Sequence, residues 1–247
     1  MKKNILFHCY IKNINELNES LCFGLKCLQN YMSVFDGKKV ITITLDQPEL
    51  FDHQKFSEKI ELINLFDEVI VMKNNSHNRE SESLIEMLES VKSIKNSMTF
   101  YAHTKGSTWA LDSCLKNWIL SMYFFNLEQS RIDKVEENFI SGYATNGILK
   151  KDCSWNINGL SGEWHYSGAF FWINNEELFK YDWQTLVKGR MSLEAYLGQR
   201  IPTEKAACNF VCRNYNFLID DLLWESEIRP HLIGNEEFKK YKEIFDQ

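Results

Sequence analysis

Two hydrophobic periodicities alternate along the first half of the chain, and this alternation restricts the fold more than any other feature. Solid apolar or β-branched runs at residues 4–10, 39–45, 68–72 and 98–102 predict strands. Between them, apolar residues recur at steps of three or four, which predicts amphipathic helices. The helical positions are Leu17, Leu21, Leu25, Leu28, Met32 and Phe35, then Leu84, Leu88, Val91 and Ile94, and finally Leu111, Leu115, Trp118, Met122 and Phe125.

The order strand, helix, strand, helix predicts an α/β fold. Right-handed crossovers between the strands give a largely parallel, Rossmann-like sheet with helices on both faces. We expect Asn13 and Glu16 to form a capping box for the first helix and Gly37 to end it. The chain has 247 residues and 44% hydrophobic residues, enough to bury one core of this kind.

Polar residues follow several of these strands, at the point where ligands of parallel sheets bind. Ligands lie outside the carboxyl ends of such strands, so these residues are predicted to share one edge. They are His8, Tyr10, Asp46, Asn74, Asn75 and residues 103–107. Neither GxGxxG nor GxxxxGK[ST] occurs, which argues against a dinucleotide fingerprint and a P-loop.

The pattern changes after residue 140. Residues 142–148 predict a short strand, residues 150–164 a loop, and residues 167–174 a strand that a glycine opens. From Ser192 onward we expect helices, with Cys208 and Cys212 buried on one of them. The seven cysteines lack paired CxxC spacing, which favours reduced, buried thiols over a disulfide framework or a zinc site.

Charge and hydropathy limit the classes of partner. The net charge is −6 without a long basic block, so binding to nucleic acid is not expected. No segment approaches the roughly 20 apolar residues of a membrane span, and the first residues do not resemble a signal peptide. The sequence predicts a cytoplasmic protein and leaves peripheral association with a membrane open.

Three motifs in the middle of the chain resemble a known family. They are FYAHTKGSTWAL…NWILSMYFF at 100–125, WHYSGAFFWIN at 164–174 and SLEAYLG at 192–198. Together, in this order, they are similar to bacterial and viral glycosyltransferases of the GT-A type that carry a His-Thr-Lys motif and are related to rhamnan-synthesis proteins. The resemblance implies a GT-A fold with a catalytic domain that binds nucleotide sugars at 1–200, and a helical extension at 201–247 packed on the same domain.

The chain departs from the related glycogenin-like pattern at the end of the predicted strand 98–102. Glycogenin-like transferases carry metal-binding aspartates in a DxD motif there, whereas this chain has His103, Thr104 and Lys105. The negative charge on a departing diphosphate needs a divalent metal or fixed cationic groups. The sequence therefore raises the question of what replaces the acidic motif.

His103 and Lys105 are candidates for a metal-free diphosphate site. They are two residues apart on an extended segment and so point to the same side, while Gly106 lets backbone amides approach. The alternative is that His103 coordinates Mn²⁺ or Mg²⁺ together with Asp220 or Asp221. Without the resemblance, the same stretch is equally typical of a polar surface turn.

The resemblance also implies an acceptor side and a catalytic base. Glu194 is the first candidate for the base that deprotonates the acceptor hydroxyl, and His165 is the second. Arg190 is a candidate to hold that carboxylate or the diphosphate. Each has a plainer alternative: Glu194 also suits a helix N-terminus, and Gly168 also suits close packing. The candidates for contact with the acceptor are Trp109, Ser167 and Gly168, whereas Trp118, Phe170, Phe171 and Trp172 are predicted to lie in the core.

The resemblance thus implies transfer of a sugar from a nucleotide-diphosphate donor to a hydroxyl acceptor, such as a glycan in polysaccharide biosynthesis. His8, Tyr10 and Asp46 would hold the nucleotide, and His103, Thr104, Lys105 and Gly106 the diphosphate. Two alternatives stay open: a degenerate transferase that binds a nucleotide or glycan without turnover, and a viral enzyme that glycosylates DNA bases. The sugar, the nucleotide, the acceptor and the stereochemical outcome are left open by the sequence.

Overall fold

The computed structural model describes residues 1–12, 17–75, 79–104, 110–157, 160–189, 192–211 and 224–232. Its strands are β1 (Lys2–Ile11), β2 (Lys39–Leu45), β3 (Glu68–Lys73), β4 (Ser97–His103), β5 (Thr145–Ile148), β6 (Lys150–Ile157), β7 (Leu160–Tyr166), β8 (Phe171–Asn174) and β9 (Ala206–Phe210). Its α-helices are α1 (Glu19–Gln29), α2 (His53–Lys59), α3 (Arg79–Val91), α4 (Ser113–Leu127), α5 (Gln129–Ile140), α6 (Asn175–Leu178), α7 (Ser192–Gly198) and α8 (Arg229–Leu232).

Short helical turns complete the described secondary structure. Four are 3₁₀ turns, at Met32–Val34, Pro48–Leu50, Glu61–Leu65 and Thr203–Lys205, and a π-helical turn at Trp224–Ile228 precedes α8.

Seven strands form one central sheet in the order β3-β2-β1-β4-β8-β5-β9. Strand β8 runs antiparallel to both of its neighbours, and the remaining pairs are parallel. The α/β, mostly parallel architecture predicted from the sequence is therefore confirmed. The chain adds β2 and then β3 on one side of β1, and afterwards returns to add β4 on the other side. The strand order therefore reverses between β1 and β4. Ligands of such sheets bind in the crevice at this switch point.

The sheet separates two hydrophobic layers. On one face, α1, α4 and α5 pack over alternate residues of the strands, such as Phe7 and Phe100. On the other face, α3 and α7 cover the intervening residues, such as Leu6 and Tyr101. Strands β1 and β4 lie at the centre, and every residue of β4 is buried. This explains why both strands have solid apolar runs in the sequence.

The ends of the first helix differ from the prediction. Helix α1 begins at Glu19, where the side chain of Asn18 caps it by accepting from the Ser20 backbone N–H at 2.7 Å, and it ends at Gln29. The expected capping residues Asn13 and Glu16 lie outside the described residues. Gly37 does not end the helix but lies beside β1, where a Cβ atom would come within 2.3 Å of Asn4 Oδ1. Its lack of a side chain serves strand packing.

Three predictions for the second half are wrong, and the first concerns residues 167–170, which precede strand β8 and do not belong to it. Residues 150–164 are not a loop, because β6 and β7 pair there as an antiparallel hairpin. The helices expected after Ser192 are interrupted by β9, which pairs in parallel with β5 at the edge of the sheet. Cys208 consequently lies on a strand, and Cys212 is outside the described residues. The aromatic residues predicted to be core are buried, among them Trp118 and Trp172.

Candidate functional site

The carboxyl ends of the parallel strands meet at one edge, as the sequence predicts. Asp46 follows β2 and Asn74 follows β3, and the Asn74 side-chain amide donates to Asp46 Oδ1 at 2.8 Å. The backbone N–H of Asn74 also donates to the Leu45 carbonyl at 2.7 Å. Asn75 donates from its side-chain amide to Glu82 on α3 at 3.0 Å. These contacts give the edge a fixed polar outline and leave Asp46 exposed to solvent.

Thr104 joins the ends of β1 and β4. Its backbone N–H donates to the His8 carbonyl at 2.9 Å, and its side-chain oxygen accepts from the Tyr10 backbone N–H at 3.1 Å. The threonine thereby extends the pairing of the two strands one residue beyond β4. It also fixes the point at which the following segment leaves the sheet, and that segment contains Lys105 and Gly106.

His8 lies beneath this edge and not on its surface. The side chain is 2% exposed, and its Nδ1 is 2.6 Å from the hydroxyl oxygen of Ser83 on α3. Because Ser83 donates its proton to the Glu80 carbonyl at 2.9 Å, His8 Nδ1 is the donor to Ser83. Burial lowers the pKa of His8 to about 4, so the ring is neutral near pH 7. A direct contact with a nucleotide, as expected from the sequence, requires access past α3.

His103 uses both of its ring nitrogens within the protein. Nε2 is 2.9 Å from the Gly168 carbonyl oxygen, and Nδ1 is 3.1 Å from Glu80 Oε1. The ring is 6% exposed. A diphosphate or a metal ion could reach a ring nitrogen only after one of these contacts breaks. His103 thus connects three elements: the end of β4, helix α3 and the turn before β8.

The segment Ser167–Ala169 forms a tight turn between β7 and β8. The Ala169 N–H donates to the Tyr166 carbonyl at 3.2 Å, and the φ angles of Gly168 and Ala169 are +89° and +54°. A Cβ atom on Gly168 would lie 2.9 Å from Met122 Sδ and 3.1 Å from Trp118 Nε1. Backbone conformation and close packing on α4 together account for this glycine. Ser167 is buried beside it.

Glu194 lies in the first turn of α7, on the sheet face that α3 also covers. Tyr101 of β4 is fully buried on this face. Burial is the main cause that raises the pKa of Tyr101, and the negative charges of Glu80 and Glu194 raise it further. Both carboxylates therefore act on one buried position.

His165 lies on a different surface of the hairpin. Its cross-strand partner is Lys151, and burial together with this lysine lowers the pKa of His165 to about 4. Trp164 and Tyr166 pack in the layer that contains α7, so His165 points to the opposite face of β7. The ring is neutral near pH 7 but binds a proton weakly.

Several predicted site residues lie outside the described residues. They are Lys105, Gly106, Trp109, Arg190, Asp220 and Asp221. Within the part of the chain that the structure describes, no three His, Cys, Asp or Glu side chains gather closely enough to hold a metal ion. His103 does not fit the role of a ligand for Mn²⁺ or Mg²⁺ while both of its nitrogens are engaged.

Glu80, Ser83 and Tyr101 are site residues that the sequence did not predict. Glu80 and Ser83 lie near the N-terminus of α3, where acidic and hydroxyl residues are common for local reasons. One signal was available: α3 follows β3 and leads into β4, so its first turn must begin at the carboxyl edge. Residues of that turn that face the sheet are consequently site candidates.

Comparisons with known proteins identify no family for this chain. Neither the protein-family models nor the curated proteins give a match. Among solved structures, one of 4-diphosphocytidyl-2C-methyl-D-erythritol synthase is similar, with 12% sequence identity and a TM-score of 0.44. The match covers 87% of this chain and 92% of that chain. The α/β class and the geometry of the edge are seen in the strand order and the contacts of this chain itself. Among the described residues, no helix has the length and apolar character needed to cross a membrane.

Proposed function

We propose that this protein is a glycosyltransferase that moves a sugar from a nucleotide-diphosphate donor to a hydroxyl acceptor, such as a glycan. The observation that carries this proposal is the sheet's switch point between β1 and β4. Nucleotides bind at such crevices in open α/β sheets. Here the two strand ends are fixed by Thr104 and His103, immediately before Lys105.

In this proposal the donor lies along the carboxyl edge. Tyr10 and Asp46 flank the nucleotide, and His8 supports the edge from beneath. Lys105 supplies positive charge to the departing diphosphate, and Gly106 allows backbone amides to approach it. A lysine ammonium can neutralise developing phosphate charge without an acidic metal-binding motif. His103 serves this arrangement through its contacts with Glu80 and Gly168.

The acceptor in this proposal lies toward the turn at Ser167 and Gly168. Glu194 is the proposed base, because it lies on the same face as Tyr101 and Glu80. Trp109 offers an aromatic surface for a sugar ring. The base removes the proton of the acceptor hydroxyl as the bond between the donor sugar and the diphosphate breaks.

A non-catalytic module that binds a nucleotide or glycan is the second candidate. The full engagement of His103 favours it, since this side chain then contributes no direct contact to a leaving group. Such a module would bind the same ligands at the same edge without turnover.

Incubation with a panel of nucleotide sugars distinguishes the two candidates. The purified protein is tested with each donor, with Mn²⁺ or with a chelator, and free nucleoside diphosphate is measured. We expect slow release of the nucleoside diphosphate from at least one donor. Thermal stabilisation by a donor without any release, with and without Mn²⁺, would instead support the binding module.

A further inference from the structure

Beneath the carboxyl edge, each of two histidines of the sheet contacts one residue of helix α3. His8 and His103 are direct neighbours in the register of β1 and β4. Glu80 and Ser83 are three positions apart on α3, so they project from the same side of the helix. Glu80 contacts His103, and Ser83 contacts His8. One face of α3 thus holds the ends of both central strands.

The contacts of His103 require two protons. A carbonyl oxygen only accepts hydrogen bonds, so Nε2 must carry the proton that is directed at Gly168. On the other side, Nδ1 is 3.1 Å from a carboxylate oxygen of Glu80, which is also an acceptor when ionised. Two lone pairs would repel at this distance, so the contact is favourable only with a proton between Nδ1 and Oε1.

The neighbouring histidine does not compete for this proton. His8 directs its Nδ1–H at Ser83, and its burial keeps the ring neutral near pH 7. Tyr101 lies two residues before His103 on β4, and the negative charges of Glu80 and Glu194 both act on it. Tyr101 stays neutral because burial raises its pKa.

We infer that Glu80 is a positioning residue that holds a proton on Nδ1 of His103, so that His103 ties the end of β4 to the turn at Gly168. The inference rests on the proposed function for its consequence in catalysis. The end of β4 leads to the proposed diphosphate group Lys105, and the turn belongs to the proposed acceptor side. Their relative position decides whether the donor and the acceptor meet in a reactive geometry.

Nuclear magnetic resonance of ¹⁵N-labelled histidines in the full-length protein tests the inference without any activity. The chain has six histidines, and the His103→Gln spectrum assigns the signal. In the wild type we expect His103 to carry a proton on Nδ1 as well as on Nε2, as its contacts with Glu80 and Gly168 require. In Glu80→Gln, the amide can donate to Nδ1, so we expect a neutral ring with its proton on Nε2. Glu86→Gln is the matched control, because Glu86 is exposed on the same helix.

Two results would overturn the positioning role. One is a wild-type His103 that lacks a proton on Nδ1, which does not depend on how any variant folds. The other is a Glu80→Gln spectrum identical to that of the wild type.

With an active donor, we also expect Glu80→Gln to lower kcat about tenfold or more with a smaller change in the donor KM, as misalignment does. An unchanged kcat would overturn the catalytic consequence. Absence of transfer in the wild type would contradict the proposed function alone, since the spectra still decide the role of Glu80.

Discussion

At the scale of single residues, the site depends on where each side chain can reach. His103 was predicted to contact a diphosphate, but its nitrogens bind Glu80 and the Gly168 carbonyl. His8 was predicted at the nucleotide, but it is buried under α3. Sequence patterns place such residues near the correct edge. They cannot show which side chains turn inward, because that depends on helix α3, whose contact residues are more than 20 positions away from His103 and more than 70 from His8.

Lys105 is the residue on which the proposed chemistry depends most. We expect Lys105→Ala to lower the rate of diphosphate release by about 10²-fold or more, because the positive charge that stabilises the leaving group is lost. The far-ultraviolet circular dichroism and the melting temperature should stay unchanged. Lys95→Ala is the control, because Lys95 is exposed and precedes β4 at the opposite edge of the sheet. An unchanged rate in Lys105→Ala would exclude the diphosphate role.

The buried His8 makes stability depend on pH. The unfolded chain binds a proton at this residue near pH 6.5, whereas the folded chain does so only near pH 4. Acidification between these values therefore favours the unfolded state, and from pH 7.5 to 5 His8 alone lowers the free energy of unfolding by about 2 kcal/mol. His165 adds a smaller loss in the same direction, because it is less buried.

Urea unfolding at both pH values measures this effect. We expect His8→Gln to lose much less stability than the wild type between pH 7.5 and 5, since glutamine does not titrate. His53→Gln is the control for an exposed histidine and should behave like the wild type. Equal losses of stability in all three proteins would show that folding does not lower the pKa of His8.

At the scale of elements, glycines set how closely the hairpin and α7 approach. A Cβ atom on Gly198 would lie 1.9 Å from the Trp164 carbonyl oxygen, so α7 packs directly on the backbone of β7. A Cβ atom on Gly147 would lie 2.8 Å from the ring of Tyr166, so β5 packs on the same strand. The motif SLEAYLG thus ends in a glycine that the packing of α7 requires. This packing sets the position of Glu194 in the first turn of α7.

Gly198→Ala should therefore be strongly destabilising. We expect a loss of about 3 kcal/mol or more in the free energy of unfolding, because a backbone oxygen cannot move aside as a flexible side chain does. Gly24→Ala is the matched control, since no atom lies within 4 Å of a Cβ at this position in α1. There we expect a gain of roughly 0.5–1 kcal/mol from the better helix propensity of alanine. Denaturant titration of both variants measures the difference, and similar effects would contradict the close packing of α7 on β7.

At the scale of the whole molecule, the first half of the sheet could be predicted and the second half could not. The first four strands could be predicted because each contains a run of apolar or β-branched residues. Strand β2 lies at the residues predicted, and β1, β3 and β4 differ from the prediction by one or two residues at their ends. Strands β6 and β7 lack such runs and contain many polar residues, so their pairing is not visible locally. The five-residue β9 depends on its partner β5, which is about 60 residues earlier in the chain.

The same reason explains how much of the site could be predicted. A parallel arrangement of the strands follows from local periodicity, so the sequence predicts a shared edge, and Asp46, Asn74 and Thr104 lie at the carboxyl ends of their strands. The turn at Gly168 was predicted as part of a strand, and its carbonyl contact with His103 joins residues 65 positions apart. Such contacts arise from the return of β8 to the centre of the sheet, which no local pattern encodes.

A crystal structure with a nucleotide sugar bound is the most direct test of the proposed function. We expect the diphosphate to lie outside the carboxyl ends of β1 and β4, within hydrogen-bond distance of Lys105 or the amide of Gly106, with His103 still bound to Glu80 and Gly168. The sugar should face the turn at Ser167. A donor bound elsewhere would contradict the proposed function, for example in the groove of about 490 Å³ between α5 and the edge strand β9, beside Arg131 and Asn209.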